Sequence, residues 1–139
     1  MAKAKTARKL ADTEARAHLR SARTSPQKAR LVLDMIRGKH VEKALAELTF
    51  SRKKAAYDVK NLLESAISNA ENNHDLNVDE LFVKEAYADK SFVIKRWRAR
   101  ARGRAAKIMK PRSHITLVVA EKQQPKPKAK TKATGKEQA

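Results

Sequence analysis

Six stretches of the chain carry a regular apolar period, and clusters of polar residues mark where each one stops. From Thr13 to Arg23, Ala15, Ala17 and Leu19 alternate with Arg16, His18 and Arg20, the pattern of a half-buried strand whose outer face is positive. Ser25-Pro26 then supplies a capping hydroxyl followed by a proline at the first helical position. Gly38 closes the segment, so a helix is predicted over Pro26 to Arg37. Ala29, Val32, Leu33 and Ile36 form its buried stripe; Lys28, Arg30 and Arg37 lie on the other side, as solvated charges or as phosphate contacts. Val41, Leu45 and Leu48 predict a second, two-turn helix with Glu42 near its start, where the helix dipole favours an acid. A third helix is expected to begin with Ser51 as its cap. From Arg52 onward it holds Ala55, Val59, Leu62, Leu63, Ala66, Ile67 and Ala70 on one face, which makes it the main core helix. Asn72, Asn73, His74 and Asp75 end it, with His74 read as a turn residue rather than a metal ligand. Beyond that loop, Leu81, Val83 and Tyr87 alternate with Phe82, Lys84 and Ala86. The return strand runs from His114 to Ala120, with Ile115, Leu117 and Val119 on one face and Thr116 and Val118 on the other.

The interval between these two strands breaks every rule of a core. Ser91 to Arg112 reads SFVIKRWRARARGRAAKIMKPR, with nine Lys or Arg and no acid. From Arg96 to Arg104 the basic residues fall on every second position. In an extended backbone five guanidiniums therefore point one way while Trp97, Ala99, Ala101 and Gly103 point the other. Wound as a helix, the same residues would encircle the axis and repel one another. The simplest closure is an antiparallel hairpin whose base joins the sheet and whose distal part has no partner but a nucleic acid. About 12 residues on each limb at roughly 3.3 Å apiece give an arm about 40 Å long. Gly103 allows a bulge or a close approach of backbone to phosphate. Trp97, set among arginines, stacks on a base or a sugar, or else packs on its own hairpin.

Charge sharpens this reading. Lys and Arg outnumber Asp and Glu by 33 to 15, a net charge of +18, and a free protein so charged repels itself until a polyanion neutralises it. Arginine presents planar, permanently charged donors that match phosphate oxygens, which favours nucleic acid as the partner. With 139 residues, one modest domain with arms is expected: a flexible basic arm over residues 1–12, a single α+β domain over 13–122 including a hairpin arm over about 88–112, and a Lys-rich, disordered tail over 123–139. Aromatic content is 4%, so the core is built from Ala, Val, Leu and Ile and stays small.

Other classes lose support. There is no cysteine, which removes disulfides and thiolate metal sites and is compatible with a reducing cytosol. No apolar run approaches the roughly 20 residues that span a bilayer, so no membrane partner is expected. The N-terminal stretch lacks the apolar segment of a secretory signal. Asp79 and Glu80 are adjacent acids, but no third group, metal ligand or nucleophile stands near them in sequence. Four dispersed histidines offer no nucleophile, base and orienter set. No enzyme activity, no cofactor and no metal site is expected. On charge alone a free DNA-compacting protein remains an alternative, although the helices carry their basic residues scattered and none reads as a groove reader.

Against these residues the sequence resembles the large-subunit ribosomal protein L-twenty-two family, of the bacterial type. Lys95, Arg100, Ala101, Gly103 and Arg104 fill the first part of the family's signature, and His114, Ile115, Leu117 and Val119 fill the second. The Ser-Pro-Gln-Lys-Ala-Arg opening of the first helix, its Ile-Arg-Gly-Lys close, and the Lys-Lys-Ala-Ala and Leu-Glu-Ser-Ala-Ile-Ser-Asn-Ala-Glu runs of the third also resemble family sequence. Coverage runs from about Ala15 to Glu121. This chain carries Ser91-Phe92 and Ala99 where members often have Gly-Pro and Pro. The resemblance implies an α+β fold of three helices packed on a small antiparallel sheet, with a long hairpin threading into large-subunit rRNA of the 23S type. It implies a cytoplasmic, non-enzymatic ribosomal constituent that bridges rRNA domains during assembly and is not a homo-oligomer. Its partners would be that rRNA, neighbouring large-subunit proteins including the ribosomal protein L-four, and the nascent peptide in the exit tunnel. The tunnel tip would correspond to Ile94, Lys95 and Arg96. The residues expected at rRNA are Arg16, His18, Arg20, Arg23, Ser25 and Lys28 on the globular part. On the arm and its base they are Lys95, Arg96, Trp97, Arg98, Arg100, Arg102, Gly103, Arg104, Lys107, Lys110, Arg112 and His114.

Overall fold

In the computed structural model, which describes residues 10–121, the breaks between periodic stretches become the breaks between elements. The order is β1 (Glu14–Ala22), α1 (Pro26–Ile36), α2 (Val41–Phe50), α3 (Lys54–His74), a short 3-10 turn (Val78–Glu80), β2 (Leu81–Ala99) and β3 (Ala105–Glu121). Three helices and one antiparallel sheet, ordered β1-β3-β2, make the α+β fold. Parts of the expected N-terminal arm (residues 1–9) and the expected tail (123–139) lie outside the described residues.

Placing β3 in the middle explains its burial on both faces. Ile115, Leu117 and Val119 face the helices and are fully buried, while Thr116 and Val118 on the other face are buried too. Side chains of the flanking strands cover that second face, since Val118 lies between Arg16 and Glu85, and Thr116 between His18 and Tyr87. The helix side holds the core: Val32, Leu33 and Ile36 of α1, Val41 and Leu48 of α2, and Val59, Leu63 and Ala66 of α3 close over the sheet. Burying a leucine such as Leu33 or Leu63 contributes about 1.5–3 kcal/mol each. The predicted stripes of α1 and α3 are therefore the ones used, Ile67 alone being partly buried.

Three local expectations are corrected. Ser51 does not cap α3: α2 runs two residues further than its apolar period, to Phe50, and Ser51 closes it, so α3 starts at Lys54 with Lys53 before it and no side-chain cap. Tyr87 does not share a face with Leu81 and Val83. A β-bulge between Val83 and Glu85 inserts Lys84 and reverses the parity, which turns Ala86 and Ala88 inward and Tyr87 out. The row of five guanidiniums is broken as well. Strand pairing ends at Ala99↔Ala105, and Arg100 to Arg104 form the turn, closed by the Arg100 N–H donating to the Arg104 carbonyl at 2.8 Å. Arg102 and Gly103 both take positive φ, 57° and 69°. Gly103 takes its left-handed backbone at no steric cost, while Arg102 bears the cost of the other.

The outer edge of β2 is covered rather than open. The Gly38 N–H donates to the Val83 carbonyl and the Val83 N–H to the Lys39 carbonyl, both at 2.9 Å. Arg37 then donates to the Ala86 carbonyl at 2.5 Å, and Arg30 to the Ala88 carbonyl through two nitrogens at 3.1 and 3.2 Å. These two α1 arginines clamp helix to strand, a structural task that is neither the solvated charge nor the phosphate contact expected of them. They also block an edge that would otherwise pair with another chain.

Candidate nucleic-acid interface

Beyond the register shift between Lys90 and Val93, β2 and β3 leave the helices and continue as a two-stranded arm. About nine residues a limb, at roughly 3.3 Å each, make it about 30 Å long, shorter than the sequence suggested because β1 follows β3 as far as Ser113. On one face lie Ile94, Arg96 and Arg98 opposite Lys110, Ile108 and Ala106; on the other lie Lys95 and Trp97 opposite Met109 and Lys107. Every basic residue from Lys95 to Lys110 is exposed. None makes an ion pair with an acid among the described residues. Trp97 is 69% exposed, so its own hairpin covers little of the ring.

Ile94, Lys95 and Arg96 are not at the turn. They sit mid-limb, paired with Lys110, Met109 and Ile108, and the tip is instead Arg100 to Arg104. Alternation alone extends a strand straight through a turn when charge hides the boundary, and Gly103 was the one residue that marked it.

The root of the arm is fixed by a kink in β1. Ser21 takes a left-handed φ of 56° where the β1–β3 register shifts. Its N–H donates to His114 Nδ1 at 3.3 Å, its carbonyl accepts from Arg112 at 3.1 Å, and the Ser113 hydroxyl donates to the Thr24 carbonyl at 3.0 Å. The Arg112 guanidinium also lies over the Phe92 ring, 5.7 Å from its centroid, a cation–π contact. Arg112 and His114, both expected at rRNA, are thus also joints of the arm. Ser25 has a structural task too: it caps α1, its Oγ accepting from the Lys28 N–H at 3.4 Å.

The structure divides the remaining expected residues between two surfaces. Arg16, His18, Arg20 and His114 share the sheet face turned away from the helices. There the His18 and His114 rings stack at 5.8 Å with 21° between planes, and His18 Nδ1 bonds the Thr116 hydroxyl at 2.8 Å. Burial, then Arg20, His114 and Arg16, hold the His18 imidazole below its ordinary value, with Asp89 opposing. This face is mixed in charge: Glu85 and Asp89 stand on it, and Lys84 bonds Glu14 across the central strand. The second surface is a cleft of about 650 Å³ at the arm's root, lined by Arg23, Lys28, Lys53, Lys54 and Lys110. A smaller recess of about 300 Å³ continues it to Arg96 and Arg112. Lys53 and Lys54 are not among the residues expected at rRNA; in the sequence they mark the start of a helix and belong to a family-like Lys-Lys-Ala-Ala run. Among the described residues no cluster of three or more metal-ligating side chains occurs.

The model of the family described as ribosomal protein L22p/L17e matches residues 17–120, a span that takes in the arm, the cleft and both stacked histidines. This chain belongs to that family. Among curated members it is 61% identical to the large ribosomal subunit protein uL22 of Rhodospirillum rubrum over 122 residues, 88% of this chain and 97% of the relative. To the uL22 proteins of Agrobacterium fabrum and Maricaulis maris it is 62% identical, over 87% and 82% of this chain and 94% and 90% of theirs. Ribosomal proteins L22p/L17e are structural components, which agrees with the lack of a nucleophile, base and orienter set in the sequence.

Proposed function

We propose that this chain is a structural constituent of the large ribosomal subunit that binds large-subunit rRNA through its arm and the arm's root. Family membership makes it a ribosomal protein without catalytic activity. One observation carries the finer reading: an arm about 30 Å long has paired strands, unpaired cations and no hydrophobic cover from its own domain. Such an arm gains a surrounding only inside a polyanion. Packed RNA hides most base edges, so recognition rests on phosphate, 2′-hydroxyl and shape contacts, with Trp97 available to stack on a base or sugar. Where RNA segments from separate domains converge, their phosphates repel. Inserting the arm lowers that repulsion, which is how the protein aids assembly. The tip lines the nascent-peptide exit tunnel, with Arg100 to Arg104 foremost and Ile94, Lys95 and Arg96 behind them.

The test is reconstitution of large subunits with the wild-type chain, and with a chain in which Arg98, Arg100, Arg102 and Arg104 are alanine, followed by chemical footprinting of the rRNA. Protection around the tunnel that fades with the substitutions supports the reading. Normal assembly with an unchanged footprint sinks it.

A further inference from the structure

The cleft at the root of the arm has a composition that neither the arm nor the sheet face shares. Its rim is drawn from separate segments: Arg23 from the β1–α1 connection, Lys28 from α1, Lys53 and Lys54 from the start of α3, and Lys110 from β3. No acid lines it, and none of the five makes an ion pair among the described residues. Its remaining lining is apolar or hydroxylated: Leu31, Ala55 and Pro111, with Thr24 and Ser25. Leu31 is 58% exposed although it lies on a helix with a fully buried stripe opposite, so it offers aliphatic surface that the domain itself leaves in water. The volume of about 650 Å³ falls within the roughly 300–1,000 Å³ of sites that enclose a small organic ligand.

A surface built only to hold duplex phosphates has no use for an apolar floor, because in an A-form helix the bases are stacked and the grooves present sugar hydroxyls and phosphates. A cationic rim around an aliphatic floor matches a molecule that is itself divided in that way. We propose that the cleft seats one unpaired nucleotide of an RNA strand, its flanking phosphates on the lysine rim and its sugar and base over Leu31 and Pro111. The Ser25 oxygen accepts the Lys28 amide and keeps its own proton to donate, so it suits a 2′-hydroxyl. Both α1 and α3 begin beside the rim, and their dipoles add to its positive potential. The floor carries no aromatic ring, so the base is held by contact rather than by stacking. The site therefore selects for an unpaired nucleotide without reading which base it is. The proposal rests on RNA being the partner, as proposed above, and places a second, chemically different contact about an arm's length from the tip.

The experiment uses the full chain and two probes, a ten-nucleotide single-stranded oligouridine carrying one central 4-thiouridine and a ten-base-pair RNA duplex. Binding is followed by anisotropy near physiological salt, and photocrosslinks are mapped by mass spectrometry. The variants are Leu31→Ser, Lys53→Ala with Lys54→Ala, and Arg98→Ala with Arg100→Ala and Arg102→Ala; all alter exposed positions. The expected result is a crosslink within residues 24–31 or 53–55. Leu31→Ser should weaken the single strand about fivefold and leave the duplex unchanged, and the double lysine variant should weaken the single strand more than the duplex. The proposal is overturned if crosslinks fall on the arm alone, or if Leu31→Ser affects neither probe or both equally, while RNA binding by the arm survives as the triple variant's loss. If the wild-type chain binds neither probe, the RNA-binding function itself falls with it.

Discussion

The imidazoles of His18 and His114 stack at 5.8 Å on the open face of the sheet, one on β1 and the other on central β3. The neighbouring His114 is one of the groups that disfavour a charge on His18. His18 in addition lies between Arg16 and Arg20 of its own strand, with Asp89 of β2 as the opposing acid, and its pKa is lowered by burial first and by these cations next. A group whose folded pKa lies below its unfolded value of about 6.5 favours the fold only while neutral. Its contribution is complete above that value and declines as pH falls through 6.5 toward the depressed folded pKa. Thermal melts of the free protein should therefore show a fall in Tm below about pH 6.5 that His18→Gln reduces. Phosphates near the ring oppose this shift, so binding to RNA should take up a proton, and wild-type affinity should rise more steeply from pH 7.5 to 6 than that of the variant.

Replacing Arg96, Arg98 and Lys107 by alanine tests whether the arm's cations sit on phosphates. Each cation that neutralises a phosphate should contribute about 0.7–0.9 to the slope of log K against log salt, so removing three together lowers it by about 2–3. Because all three side chains are exposed, the Tm of the free protein should stay within about 3 °C. A large drop in Tm with an unchanged slope would mean that these residues hold the fold rather than a partner.

Gly103→Val probes the turn. Nothing lies within 4 Å of an added Cβ, but the φ of +69° is strained for any side chain, at a cost of about 1–2 kcal/mol. The cost is local to the arm. Hydrogen exchange should quicken at Trp97, Ala99 and Ala105 while the amides of α3 keep their protection.

Two substitutions separate core from cap. Leu63→Ala removes a fully buried side chain and should cost about 2–5 kcal/mol, lowering Tm sharply; at low temperature the surviving folded protein should bind RNA as before. Ser25→Ala removes the α1 cap and should cost about 1 kcal/mol. If Ser25 also donates to a sugar hydroxyl in the cleft, RNA affinity falls in the Ser25 variant and not in the Leu63 variant.

Much of this was legible in the sequence wherever one period held over several turns. The stripes of α1 and α3, the strand at Ala15 and Ala17 and the return strand at Ile115 to Val119 all lie where apolar spacing put them. Legibility failed where one residue changed the phase. Lys84 enters a bulge and turns Tyr87 outward, and no composition distinguishes a bulged lysine from an ordinary outward one. Ser51 had the chemistry of a cap, and which of two adjoining helices it serves depends on how far α2 runs. At the candidate interface, charge revealed which segment would be bare but not its two faces, because alternation carries no mark of where a strand reverses. The cleft was illegible for a different reason: its rim comes from positions 23, 28, 53, 54 and 110, brought together only by the packing of α1 and α3 beside the arm.

Ser21 holds that arm by both of its backbone groups, through His114 and Arg112. For a lever about 30 Å long, a tilt of about 5° at the pivot carries the far end roughly 3 Å sideways, enough to exchange a direct contact for a water-filled gap. The arginines at the far end are thus aimed by a serine that touches none of them, and a substitution that frees the pivot would disperse the tip over many positions while leaving every one of its charges in place.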